Sequence, residues 1–329
     1  MSHPTSSRRT PIQALVVAGL SLVLALAGCG SHPSGTGTTD GTGGTTTILI
    51  GTLQTDDILP LWAAVADGSA AAAGLDLQIQ TFASAQEQTA AVTAGQVDAI
   101  MTDMVVPVLL SASGTPMRSV TRLQGAPAGI VVAPGSGITD LAGLAGVPTG
   151  CSSPTIMEYI YDKALTDAGV AADQIKTEEI KNLSVRLQML GSGSIKAAVL
   201  PWTLYSLAVA QGNIPLLGVD QAGPYSSTVL AFRDQWLTSQ PGVASVMDAL
   251  DRVWDAEVAK INAAPDDYRA LLAAQAKLPS PLDTTYAVRQ YPTHATPDQA
   301  QFEAVVNWMV AKGYVASPIP YADLVWTGQ

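Results

Sequence analysis

The chain has little with which to do covalent chemistry. Two cysteines and three histidines are spread over 329 residues. The histidines are His3, His32 and His294, and none lies near Cys151 in sequence. Nucleophile–base pairs and metal sites need histidine, cysteine or clustered carboxylates. No enzyme activity, metal or cofactor is therefore expected, and Cys151 reads equally well as a small buried strand residue. The stretch GSGSIK (191–196) lacks the spacing of a phosphate loop and runs from a helix end into a strand. Basic residues are also scarce: 16 Lys and Arg against 27 Asp and Glu, a net charge of -11. That balance excludes a nucleic-acid partner, which needs Lys and Arg facing phosphates. Past residue 28 no run is long and apolar enough to span a membrane. With 47% hydrophobic and 13% charged residues, the chain is globular.

The long apolar run that is present lies at the start. Arg8 and Arg9 precede IQALVVAGLSLVLAL (12–26), and small residues follow. This is the layout of a secretory signal, with an apolar core too short for a spanning helix. Leu26-Ala27-Gly28-Cys29 resembles a bacterial lipobox, which implies that Cys29 becomes the first mature residue and carries lipid. Several acyl chains, at roughly 0.8 kcal/mol per buried CH2, hold a domain at a membrane for long periods. Cys151 would then be the one remaining thiol, and the exported protein would rely on core packing without an intramolecular disulfide. GSHPSGTGTTDGTGGTTT (30–47) follows, a flexible tether with nothing apolar to bury.

Beyond the tether, short apolar runs alternate with helical stretches. ILIGTL (48–53), LDLQIQTF (75–82) and AIM (99–101) read as strands. LPLWAAVADGSAAAAG (59–74) and MVVPVLLSASG (104–114) read as helices, and Ser84-Ala85-Gln86-Glu87 as a capping box opening another. The pattern recurs with strands at VVAPGS (131–136), VPTGCS (147–152), KAAVL (196–200) and STVLAF (227–232). Ser153-Pro154-Thr155 opens a helix with proline at its first position, TLYSLAVAQG (203–212) is a helix, and Thr296-Pro297-Asp298-Gln299 is a further capping box. Such alternation indicates a mainly parallel α/β sheet. GQVDAIMTD (95–103) also aligns with GSIKAAVLP (193–201) at an offset of 98, and the match continues to Gly114 and Gly212. Two lobes of the same local topology are expected, with a ligand cleft outside the carboxyl ends of their strands.

The stretches GTLQTDDILPLW, AGLDLQIQTFASAQEQTAAVTAGQVDAIMTD and LAGLAGVPTGCSSPTIMEYIYDKALTDAG resemble the substrate-binding proteins of ABC importers in the nitrate/taurine/alkanesulfonate and thiamine-precursor group. The resemblance covers roughly residues 47–219 and the closing IPYADLV (319–325). It implies a type II periplasmic binding protein: two α/β lobes with a hinge and an interlobe cleft. Expected boundaries are a signal over 1–28, a tether over 29–46, one lobe from 47–125 and 222–329, and another from 126–221. Hinge crossings fall near 125–128 and 219–222. The resemblance further implies lobe closure on a small solute, delivery to an ABC permease, action as a monomer, and a place at the outer face of the cytoplasmic membrane.

Strand-to-helix loops supply the ligand-binding candidates: Gln54, Thr55, Asp56, Asp57, Ser84, Thr102, Asp103, Ser152, Ser153, Thr155, Trp202 and Tyr205. Several have a plainer reading. Asp56, Asp57, Ser84 and Asp103 can cap helices, Trp202 can pack lobes together, and Tyr205 and Glu158 fit ordinary helix surfaces. None of these loops carries Lys or Arg. Three aspartates and an aromatic favour a cation or an N–H-rich ring such as an aminopyrimidine. A sulfonate or nitrate held by helix N-termini, or a solute sensor without transport, remains the alternative.

Overall fold

Two five-stranded sheets organise the chain, and they share one pattern. The computed structural model describes residues 44–124, 128–223 and 225–328. The apolar N-terminal run, Cys29, nearly all of the tether and the expected hinge residues 125–127 lie outside that set. The first sheet is built from β1 (Thr46–Leu53), β2 (Leu75–Phe82), β3 (Ala99–Asp103), β4 (Met117–Gln124) and β10 (Thr228–Arg233), in the order β2-β1-β3-β10-β4. The second holds β5 (Ala128–Val132), β6 (Thr149–Cys151), β7 (Thr177–Glu179), β8 (Ala197–Pro201) and β9 (Ile214–Leu217), in the order β7-β6-β8-β5-β9.

In each sheet the fourth strand alone runs against its neighbours. β10 pairs antiparallel with β3 and β4, and β5 pairs antiparallel with β8 and β9. β3 and β8 hold the same place in the two sheets and keep the 98-residue offset. The two patterns are thus one topology used twice. Both central strands open on an apolar run because helices cover both faces of a mainly parallel sheet: Ala99, Ile100 and Met101 on one, Ala197, Ala198, Val199 and Leu200 on the other, are all buried. Among the described residues, no helix is long and apolar enough to cross a membrane.

Several elements differ from the sequence expectation. β1 begins at Thr46, one residue inside the expected tether. The helix expected over 59–74 breaks at Gly68 into Leu59–Asp67 and Ser69–Ala72, because Gly68 takes φ 81, a left-handed geometry that ends a helix. The helix Ile156–Asp167 is capped by Thr155, so Pro154 precedes the cap instead of occupying the first turn. Likewise Asp298, not Thr296, caps Gln299–Ala311 by accepting from the Gln301 N–H at 2.8 Å. Cys151 is fully buried in β6, and burial raises its thiol pKa to about 12.

Candidate functional site

The loop after β1 and the helix after β8 meet at one seam. Asp56 is fully buried, and both its carboxylate oxygens are engaged. Oδ2 accepts from the Tyr286 hydroxyl at 2.8 Å, and Oδ1 accepts from Arg289 Nη2 at 3.0 Å. The same Nη2 donates to Asp57 Oδ1 at 3.0 Å. Arg289 Nε lies 2.8 Å from Asp56 Oδ2 but out of line for a hydrogen bond. The Tyr291 hydroxyl donates to the Asp56 carbonyl at 2.8 Å. On its other side the guanidinium lies over the Trp202 ring, 4.7 Å from the centroid. Trp202 stacks with Tyr205 at 6.1 Å and meets Tyr286 edge-on at 6.4 Å. The Tyr205 ring in turn packs on Gly129, where any Cβ would come within 2.6 Å of it.

Burial dominates the electrostatics here. It raises the Asp57 pKa to about 6, with help from Asp56 and against the pull of Arg289. Burial also works against the charge of Arg289, but Asp56 and Asp57 outweigh it and hold the guanidinium protonated. The Tyr286 and Tyr291 hydroxyls are pushed well above their ordinary range by burial and by Asp56.

A second cluster gathers at the start of the helix Ile156–Asp167. Ser152 is buried, and its carbonyl accepts from the Thr155 hydroxyl at 2.6 Å. Thr155 Oγ1 accepts from the Glu158 N–H at 3.4 Å, and the Ser153 N–H donates to Glu179 Oε2 at 3.1 Å. Glu158, expected as an ordinary helix-surface residue, is 3% exposed. It accepts from the Tyr314 hydroxyl at 2.8 Å and from Lys312 Nζ at 3.1 Å, and Lys312 also pairs with Asp162 at 2.6 Å.

Of the remaining candidates, Thr55 joins the seam through a side-chain hydrogen bond to Asp57, and the others show no bond to either cluster among the described residues. Ser84 caps its helix by accepting from the Glu87 N–H at 3.2 Å. Asp103 Oδ1 accepts from the Val105 and Val106 N–H groups at 2.7 and 3.3 Å, and burial outweighs these bonds to raise its pKa to about 6. Gln54 and Thr55 are half-buried beside the seam, and Thr102 is buried at the end of β3. Neither a cavity of about 230 Å³ between Phe302 and Tyr321 nor one of about 300 Å³ along the edge strand β2 is lined by seam residues. Among the described residues no group of three His, Cys, Asp or Glu could hold a metal ion.

Sequence reasoning missed Arg289. The loops carry no basic residue of their own, yet a guanidinium reaches Asp56 from 233 positions away. The expectation of uncompensated acidity around Asp56 and Asp57 is corrected accordingly. Gln88 was missed too: fully buried, it donates to the Gly51 and Met101 carbonyls, where β1 and β3 part, and its Oε1 has no partner.

The sequence profile described as NMT1/THI5 like matches residues 55–264. Among curated proteins none matches the chain at a significant level. Solved structures do resemble it. The periplasmic aliphatic sulphonate binding protein SsuA of Escherichia coli has a TM-score of 0.73 at 16% identity, covering 85% of this chain and 92% of its own. The alkanesulfonate-binding protein SsuA of Xanthomonas axonopodis pv. citri, bound to MOPS, has a TM-score of 0.69 at 14% identity, covering 85% and 98%. The periplasmic nitrate-binding protein NrtA of Synechocystis PCC 6803 has a TM-score of 0.63 at 16% identity, covering 83% of each chain. At these identities the likeness is one of fold.

Proposed function

The chain belongs to the NMT1/THI5-like family, and from that premise we propose that it is an extracytoplasmic solute-binding protein serving an ABC importer. Lipid on Cys29 holds it at the outer face of the cytoplasmic membrane, and the tether lets a monomeric two-lobed domain move there. One lobe comprises 47–125 and 222–329, the other 126–221. The membership of the two sheets supports that division. The lobes close on a small solute and present it to a permease, by binding and not by catalysis.

The cargo is a planar, N–H-rich cation or amino-heteroaromatic ring. One observation carries this reading: the seam holds such a group against Asp56, Asp57 and the Trp202 face, in the form of the Arg289 guanidinium. Charge-assisted hydrogen bonds on an edge and an aromatic on a face suit that chemistry. A second reading, a sulfonate or nitrate, is favoured by the buried Trp202 indole N–H, which has no acceptor, and by the sulphonate and nitrate named for the structural neighbours.

Thermal shift of the detergent-solubilised chain separates the two. Saturating ligand, at about 100 times its dissociation constant, adds about 2.7 kcal/mol, a rise of several degrees. The proposal expects that rise with aminopyrimidines or amidines. A rise only with sulfonates or nitrate transfers the assignment to the second reading.

A further inference from the structure

Arg289 is engaged like a ligand. Its guanidinium lays one edge on two carboxylates and one face on an indole, yet its backbone belongs to no helix or strand. That backbone is pinned on both sides of the arginine. The Tyr286 carbonyl accepts from Arg269 Nε at 2.9 Å, and Tyr291 exchanges 2.8 Å hydrogen bonds with the Asn262 side chain through both its N–H and its carbonyl. The side chain is 11% exposed. With the strap so held, the way open for the guanidinium to leave the seam is rotation about the side chain's own bonds.

Charge limits what can take its place. A neutral solute displacing Arg289 would leave two buried carboxylates without a cation, which is strongly unfavourable. Exchange of one cation for another leaves the charge of the seam unchanged. Shape limits it further. Guanidinium, amidinium and protonated aminopyrimidine join N–H donors to a flat face that lies on the Trp202 ring, which an ammonium lacks.

We propose that Arg289 is a tethered stand-in for cargo: it fills the planar-cation site of the empty protein, and cargo binds by displacing it. This rests on the cationic reading of the cargo. A tethered competitor acts at an effective concentration in the millimolar range, so removing it tightens binding of any free cation that uses the same contacts.

The test is calorimetric titration of the full chain in detergent, wild type against Arg289→Ala and Arg289→Gln, with methylguanidinium, benzamidinium and ethylammonium as probes. Both variants are expected to bind methylguanidinium and benzamidinium at least roughly tenfold tighter than wild type, and to prefer them to ethylammonium. Adding Trp202→Ala or Asp57→Asn to Arg289→Ala should abolish the gain. If Arg289→Ala does not fold, methylguanidinium at one fixed concentration should raise the melting temperature of Arg289→Gln more than that of wild type. Folded variants that bind the flat cations no better than wild type overturn the displacement, even where wild type binds a cationic cargo. Wild type that binds only anions overturns the cargo reading, and the displacement with it.

Discussion

At the scale of single residues, the seam shows that a side chain's partners decide its role. Asp56 and Asp57 read in sequence as ligand contacts or helix caps. In space they share one guanidinium. Nothing local announces Arg289, because a coil segment carries no periodicity and its contacts span over 230 positions. Trp202 reads in sequence as either stacking on ligand or packing the lobes, and in the structure its ring lies beside Tyr205 and under the Arg289 guanidinium. Cys151 was legible in part, as a small strand residue. With its thiol fully buried and its pKa raised to about 12, it should resist modification. Ellman's reagent added to folded protein in which Cys29 is replaced or lipidated should release no colour until denaturant is added. Arg186 is fully buried as well, and it has carbonyls for partners: Nε donates to Ile180 O at 3.0 Å and Nη1 to Val199 O at 2.7 Å. Burial lowers its pKa. Arg186→Met should cost roughly 2–4 kcal/mol for two orphaned buried carbonyls, read as a lower urea midpoint with an unchanged slope.

At the scale of elements, most helices and central strands were legible, because capping residues and apolar runs are local signals. Ser84, Thr155 and Asp298 each accept from the N–H three positions on. Removing such an acceptor costs about 1 kcal/mol. Asp298→Ala should lower the melting temperature by a few degrees, while Asp298→Asn should retain most of the stability. The edge strand β2 was legible from its alternation, but the other edge strands, β4, β7 and β9, were not. β7 (Thr177–Glu179) is exposed at all three positions and offers no apolar alternation. β4 (Met117–Gln124) carries arginines at 118 and 122 within its run, and its place depends on pairing with β10, which lies a hundred residues further on. The break at Gly68 was hidden inside an otherwise continuous apolar helix pattern.

At the scale of the whole molecule, three carboxyl groups with raised pKa values set the pH dependence. Asp57, Asp103 and Asp251 are each raised to about 6, chiefly by burial. Each binds more protons folded than unfolded between its ordinary 3.8 and about 6, so stability rises as pH falls through that window. Asp67 works the other way. Hydrogen bonds from Lys260 and Ser69 overcome burial and hold it near 2, so its contribution is lost as pH falls from 3.8 toward 2; being exposed, that contribution is small. The melting temperature is expected to be higher at about pH 5 than at about pH 7, and Asp103→Asn should flatten the rise. A melting temperature that falls steadily from neutral pH would contradict this assignment.

The shared topology of the two sheets hides an asymmetry in time. The second sheet draws all its strands from one unbroken stretch, β5 to β9. The first cannot close until β10 arrives to fill the gap between β3 and β4. As the chain is made from its N-terminus, the half that begins first is therefore completed last. Until Thr228–Arg233 emerges, β3 and β4 each present an open edge, a template for pairing with another chain.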